Sequence, residues 1–370
     1  MTHFTQHSLS RRHVLAGAAL SLTNAGKLLA APADAASRNI KLGIDNFAMR
    51  AFGWKAQALI DFSAQAKLDS LFITDLDAFD SRATPHLKEL RQRASDQGIA
   101  IHLGTWSVCP TSNVFKKNWG SADEHLALGI RMAHDLGSPV LRVVLGNQQD
   151  RHSPGGIKAR IKDMAVVLKR HRNRCKDAGV KIAIENHAGD LRARELARLV
   201  ELAGRDFVGV NMDSGNAVWA LEDPLDNLEI LGPYALTTSL RDSHVWESEN
   251  GVTVQWAAMG DGVVDFKVYF DRFVQLCPGV PVHIETISGF NREFTLFDSA
   301  FWKGYDGLSG ADLSRFLKLA RKGKPVPAWK APAGAEPVKA EQAFQKDQVE
   351  RSLRYCKQTL GLGLPNAPGR

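Results

Sequence analysis

Eight short apolar runs of β character recur between residues 40 and 286, and stretches of helical periodicity lie between most of them. The runs are IKLGIDNF (40–47), SLFITDL (70–76), IAIHLGTW (99–106), PVLRVVLG (139–146), KIAIENH (181–187), FVGVNMD (207–213), ALTTSLRD (235–242) and VPVHIET (280–286). The intervening stretches include WKAQALIDFSAQAKL, ATPHLKELRQRASDQG and ADEHLALGIRMAHDLG. Several close on glycine (Gly98, Gly137, Gly179), the residue that most easily takes a left-handed C-cap. Strand and helix alternating eight times over about 250 residues predict parallel strands with helical crossovers, closed into a (β/α)8 TIM barrel. The competing architecture is a doubly wound open sheet. No GxGxxG turn follows the first strand, which weighs against it.

The chemistry-bearing residues gather at the ends of these runs. Glu185, Asp213 and Glu285 each stand at the C-terminal end of a run, and His244 follows another. Side chains alternate inward and outward along a strand, so such acids converge at the carboxyl mouth of a barrel. A buried carboxylate is costly unless it is paired or coordinates a metal. Glu185, Asp213, His244 and Glu285 are therefore the expected ligands of one divalent ion. Oxygen-rich ligation with a single imidazole suits Mn²⁺, Mg²⁺ or Co²⁺ better than zinc. Such an ion polarises a hydroxy-ketone and stabilises an enediolate, while Glu185 and Glu285 remove and return a proton at carbon. His102, in phase with Trp106 on the third run, is expected to reach substrate at the mouth, with a satisfied core histidine as the alternative. Trp54, Trp106 and Trp246 follow strands and offer faces for a sugar, with plain packing as the alternative.

The ends of the chain differ from the repeat. Ser10-Arg11-Arg12-His13-Val14-Leu15, a mild apolar run and Ala33-Asp34-Ala35 read as a twin-arginine export signal over residues 1–35. That predicts a periplasmic or secreted enzyme, handed folded to the Tat translocon. The apolar run is too short for stable membrane insertion. The barrel is expected over 39–307. Residues 308–370 read as a C-terminal extension: a helix capped by Ser309 or Asp312, a Pro/Ala-rich linker and a final amphipathic helix. That last helix is expected on the barrel exterior, with a homo-oligomer contact as the alternative. The net charge of +7 is modest and unclustered, so no nucleic-acid partner is expected. The four cysteines are far apart and form no CxxC zinc site.

The motifs IENH (184–187), MDSGN (212–216), Arg241-Asp242, MGDGVVDF (259–266) and HIET (283–286) carry a resemblance. Across residues 39–325 the chain resembles the xylose-isomerase-like TIM-barrel superfamily of sugar isomerases and epimerases. The resemblance implies Glu185, Asp213 and Glu285 as metal ligands, with the two glutamates as the acid/base pair. It implies that His187 and Asn216 contact substrate or metal-bound water and that Arg241 grips a substrate oxygen. The superfamily usually has a metal-binding histidine two residues before the Lys/Arg-Asp pair, and here that position is Ser239. His244 is therefore the expected fourth ligand. The expected function is a metal-dependent isomerase or epimerase of a small-molecule sugar. The alternatives are a lyase or hydrolase acting on keto-glycosides and a metal-free sugar-binding barrel. A related repair endonuclease would need a multi-histidine zinc site, and Asn216 stands where one such histidine would be.

Overall fold

The computed structural model describes residues 38–365. The twin-arginine segment expected over 1–35 lies outside the described residues. Eight parallel strands form the main sheet: β1 Leu42–Asp45, β2 Ser70–Ile73, β3 Ala100–Ser107, β4 Val140–Val144, β5 Lys181–Glu185, β6 Val208–Met212, β7 Ala235–Thr238 and β10 Val282–Ile284. Leu240, just beyond β7, bridges Ile284 on β10. Its N–H reaches the His283 carbonyl at 2.7 Å and its carbonyl accepts from Glu285 N at 2.9 Å, which brings the two ends of the sheet together. The (β/α)8 TIM barrel expected from the alternation is the observed fold.

The helices wrap this barrel: α1 Ala56–Gln65, α2 Thr84–Asp96, α3 Ala122–Leu136, α4 Gly156–Arg170, α5 Arg172–Ala178, α6 Ala193–Ala203, α7 Ser214–Trp219, α8 Pro224–Leu231 and α9 Phe266–Leu276. Helix α3 shows why such segments begin where they do. The Ser121 hydroxyl accepts from Glu124 N while the Glu124 carboxylate accepts from Ser121 N, a capping box that satisfies two otherwise orphaned donors. Gly98, Gly137 and Gly179 all take positive φ after their helices, as the sequence predicts. One apolar core runs between strands and helices, built from residues such as Leu42, Ile44, Leu71, Leu103, Ile182, Val210 and Leu228.

One feature departs from the sequence reading. The run 235–242 is not one strand. Strand β7 stops at Thr238, and Asp242 begins a separate antiparallel sheet of β8 Asp242–Ser248, β9 Gly251–Ala257 and β11 Asn291–Phe294. Asp242 also holds the MGDGVVDF turn, accepting from the backbone N–H groups of Gly260, Gly262 and Val264. The inserted sheet has its own apolar cluster, in which Val245, Val254, Trp256 and Phe294 meet Trp219 of α7 and Phe316 of α10 (Gly310–Lys322).

The C-terminal helix α11, Pro337–Arg354, begins over the loops of the mouth, and its second half joins the barrel's apolar core through Val349 and Leu353. Gln345 and Gln342 take the N–H and the carbonyl of Ala51, in the short 3-10 segment that follows β1. Trp329, in the Pro/Ala-rich linker, stacks on Phe344 at 4.5 Å and donates its N–H to Gly289 O, just past Glu285. Gly289 has a φ of +85°, and a Cβ there would lie 2.8 Å from both aromatic residues, so only glycine suits this clamp. None of the helices described is long and apolar enough to cross a membrane.

Candidate metal and acid/base site

Strand ends deliver the site. Glu185 is the last residue of β5, and Asp213 and Glu285 each follow their strand by one position. Their carboxylates offer ligand atoms all within 4.8 Å of one another, and all three are buried. Glu185 Oε2 accepts from Arg142 Nε at 2.5 Å and from Asn211 Nδ2 at 2.8 Å, and Oε1 accepts from Asn216 Nδ2 at 3.2 Å. Asp213 doubles as the N-cap of α7, accepting from Gly215 N and Asn216 N. Glu285 Oε2 and Asp213 Oδ2 both contact Nη2 of Arg241.

Asparagines hold these strand ends together. Asn186 donates to the Asp213 carbonyl at 2.8 Å and accepts from Asp213 N at 2.9 Å, lacing β5 to β6. Asn216, expected to meet substrate or metal-bound water, bridges Glu185 and Asp213 with its amide N–H₂ and accepts from Ala188 N. His187 lies at the cavity, edge-on to Trp106 at 5.3 Å. Its Nδ1 donates to the Gly146 carbonyl at 2.7 Å, which leaves Nε2 as the lone-pair nitrogen.

A cavity of about 330 Å³ opens over the mouth, lined by Phe47, Trp106, Trp119, Arg142, His187 and Glu285 among others. Its size falls within the range usual for small-molecule sites. Among the three acids, Glu285 lines it, while Glu185 and Asp213 lie beneath.

His244 stands apart from this group. It sits on β8 opposite Gln255, half-buried, and Asp261 is the charged group that acts on it. The strand turns outward before reaching it, so the imidazole belongs to the inserted sheet. The Ser239 hydroxyl fills the interior position instead, donating to Asp45 Oδ2 at 3.2 Å and accepting from Asn211. His102 is a satisfied core histidine rather than a residue of the cavity lining. Its Nδ1 meets Thr237 Oγ1 at 3.0 Å, and its ring packs against His283 and Phe72. Trp54 packs on Phe52 and Phe62, and Trp246 is buried in β8.

Two charged residues at the site escape a reading that looks only for acids on late strands. Arg142 lies mid-strand in β4 and Asp45 ends β1. Asp45 accepts from Thr74 Oγ1 at 3.0 Å and from Ser239. A charge inside an apolar strand was the available signal for both.

Burial dominates the electrostatics. It pushes Asp45 up to about 6, Asp213 up to about 7 and Glu285 well above the usual carboxylate range, against the pull of the arginines. Burial also opposes charge on Glu185, but Arg142, His187 and Arg241 outweigh it and hold that group below its ordinary value. Burial keeps His187 from protonating readily. Four carboxylates thus face two guanidinium groups, and with all four ionised the cluster carries two uncompensated negative charges. Two protons or one divalent cation would close that gap. Buried oxygen ligands, closely spaced, with an excess charge of minus two, suit a hard divalent ion.

Known proteins share the fold. The sequence profile described as "Xylose isomerase-like TIM barrel" matches residues 48–300. A curated relative, 3-oxo-isoapionate decarboxylase from Pectobacterium atrosepticum, is 24% identical over 228 residues, covering 58% of this chain and 75% of the relative. The crystal structure of D-psicose 3-epimerase in the presence of D-fructose superposes with a TM-score of 0.56 at 13% identity, covering 87% of this chain and all of that one. The IOLI protein, solved with a bound zinc atom, gives 0.54 at 15% identity over 76% of this chain and 96% of its own. At such identities the structural likeness is one of fold. Because residues 48–300 take in every barrel strand after the first, the chain belongs to the xylose isomerase-like TIM barrel family.

Proposed function

We propose that this protein is a divalent-cation-dependent enzyme that moves a proton at carbon on a small sugar bearing a carbonyl group, as an isomerase or epimerase. The observation that carries this reading is the convergence of Glu185, Asp213 and Glu285 from three strand ends, with the surroundings of the two glutamates shifting their affinities for a proton in opposite directions. A pair of carboxylates whose environments drive their protonation apart is the usual arrangement of an acid and a base. Glu185, held ionised by Arg142, is the base. Glu285, whose hold on a proton burial strengthens and which lines the cavity, is the acid. Trp106 and Trp119 offer apolar faces to the sugar ring, and His187 Nε2 accepts a hydroxyl hydrogen bond. Glu185, Asp213 and Glu285 would hold the cation, whose chemistry is to polarise the substrate carbonyl and lower the cost of negative charge beside it. Mn²⁺, Mg²⁺ and Co²⁺ suit the all-oxygen group best.

The test is a screen of keto- and aldo-sugars with Mn²⁺ in D₂O, following incorporation of deuterium at carbon. Exchange is expected in the wild type and absent in Glu185→Gln and Glu285→Gln. Exchange that persists in both variants refutes the acid/base assignment.

A lyase acting on a keto acid or keto-glycoside is the second reading. Two observations favour it: among the three acids only Glu285 lines the cavity, and a curated relative is named as a decarboxylase. Release of carbon dioxide or an alcohol that survives Glu185→Gln but not Glu285→Gln supports this reading over the first. We also propose export to the periplasm through the twin-arginine route, on the strength of Ser10-Arg11-Arg12 and the segment that follows. Replacing Arg11 and Arg12 by lysine should retain the protein in the cytoplasm.

A further inference from the structure

The Arg241 guanidinium stands where a cation shared by Asp213 and Glu285 would stand, since its Nη2 contacts an oxygen of each. The side chain is only 1% exposed, yet its Nε and Nη1 have no hydrogen-bond partner. Leaving buried donors idle is costly, and a buried arginine normally spreads its five donors over several acceptors.

A face contact holds Arg241 instead. The Trp256 ring lies 4.3 Å from its Cζ. Trp219 stacks on Trp256 at 3.9 Å with planes 17° apart, and the Arg292 guanidinium covers the other face of this pair, 3.9 Å from the Trp219 ring. Trp256 is fixed by its indole N–H to the Gly215 carbonyl at 2.8 Å. Gly215 leaves room for the column, since a Cβ there would lie 2.5 Å from Arg241 Cδ. Cation, ring, ring and cation thus run from the inserted sheet to the acids. A guanidinium held against a ring face shifts parallel to it at small cost, because the attraction depends weakly on lateral position. One gripped by five directed hydrogen bonds would not.

Building on the cation reading above, we propose that Arg241 is an internal stand-in cation. It fills the gap between Asp213 and Glu285 when no divalent ion is present, and it slides along the Trp256 face to vacate that gap when one binds. The column of Trp256, Trp219 and Arg292 positions it, so residues outside the barrel tune how tightly the acids hold a metal. The inserted sheet is then part of the site's equipment.

Calorimetric titration of the full chain with Mn²⁺, followed in parallel by tryptophan fluorescence, tests this. In the wild type Mn²⁺ should bind and change the emission as the guanidinium shifts across the Trp256 face. Arg241→Met should bind Mn²⁺ at least about tenfold more tightly and lose the emission change, because a charge-assisted contact no longer has to be broken. Arg241→Lys keeps the charge on a shorter side chain and should fall between the two, which covers the case in which Arg241→Met does not fold. Trp256→Leu should tighten binding by roughly two- to tenfold, and Trp256→Phe, which keeps a ring, should stay nearer the wild type. Equal or weaker Mn²⁺ binding in the arginine variants, with binding intact in the wild type, overturns the stand-in role and leaves the metal site standing. No Mn²⁺ binding in any variant overturns both.

Discussion

Two layers inside the same barrel, two residues apart along their strands, obey different rules. The deeper layer holds His102, Thr237, His283 and Phe72. It is polar but neutral: His102 meets Thr237, Thr237 meets His283, and burial holds both imidazoles uncharged. The layer at the mouth holds Asp45, Glu185, Asp213 and Glu285 against Arg142 and Arg241, and its charges do not cancel when all four acids are ionised. Both layers are equally dry. Burial alone therefore does not mark a site; unbalanced charge under burial does, because its cost must be met by something arriving from outside.

The sharpest way to break this contrast is to remove one acid at the mouth. Glu285→Gln should lower turnover by about 10²- to 10⁴-fold, the usual worth of a positioned proton donor, while far-ultraviolet circular dichroism stays unchanged. A loss below tenfold in steady-state assays would place Glu285 outside the chemistry. The next largest effect concerns balance rather than reaction. Arg142→Met strips Glu185 and Asp45 of their nearest cation and should cost about 3 kcal/mol in urea unfolding, part of it recovered on adding Mn²⁺. A variant as stable as the wild type would show that the arginine is not compensating these acids.

Acid pH probes the neutral layer. Burial lowers His102 to about 4, whereas an unfolded histidine takes its proton near 6.5. As pH falls below about 6.5 the unfolded chain gains the proton first, so His102 contributes a stability loss of about 1.4 kcal/mol per pH unit until about pH 4. His125, also lowered to about 4 by burial, adds to the same slope. His102→Gln should make the pH 4.5–6.5 stability profile shallower in thermal melts. An unaltered slope would mean that His102 is charged in the folded state. The smallest effect is expected at His244. His244→Ala should change Mn²⁺ affinity by less than about threefold, since the strand turns outward before reaching it; a loss of tenfold or more, about 1.4 kcal/mol, would make it a ligand.

Period and punctuation in the sequence were enough to read the barrel. Apolar runs of strand length, helices ended by Gly98, Gly137 and Gly179, and acids at run ends are all local signals, and Glu185, Asp213 and Glu285 meet as those signals predict. The inserted sheet was harder to read. Its first two strands interrupt the repeat between Arg241 and the last barrel strand, its third follows that strand, and its hairpin cue, Asn250-Gly251 between alternating runs, is short. His244 was misplaced for that reason: a strand that leaves the barrel at Arg241 carries the next imidazole away with it. Asp45 and Arg142 were legible as charges in apolar strands, but their partners come from strands far apart in sequence. The grip of Trp329 on Gly289 depends on a tertiary contact that no periodicity announces.

The meeting of three acids around one divalent ion is tested most directly by anomalous diffraction from crystals grown with Mn²⁺. One strong peak should stand roughly 2.1–2.4 Å from oxygens of Glu185, Asp213 and Glu285, with the Arg241 guanidinium displaced from between the last two. Crystals showing no peak there, with Arg241 still bridging Asp213 and Glu285 at saturating Mn²⁺, would contradict it.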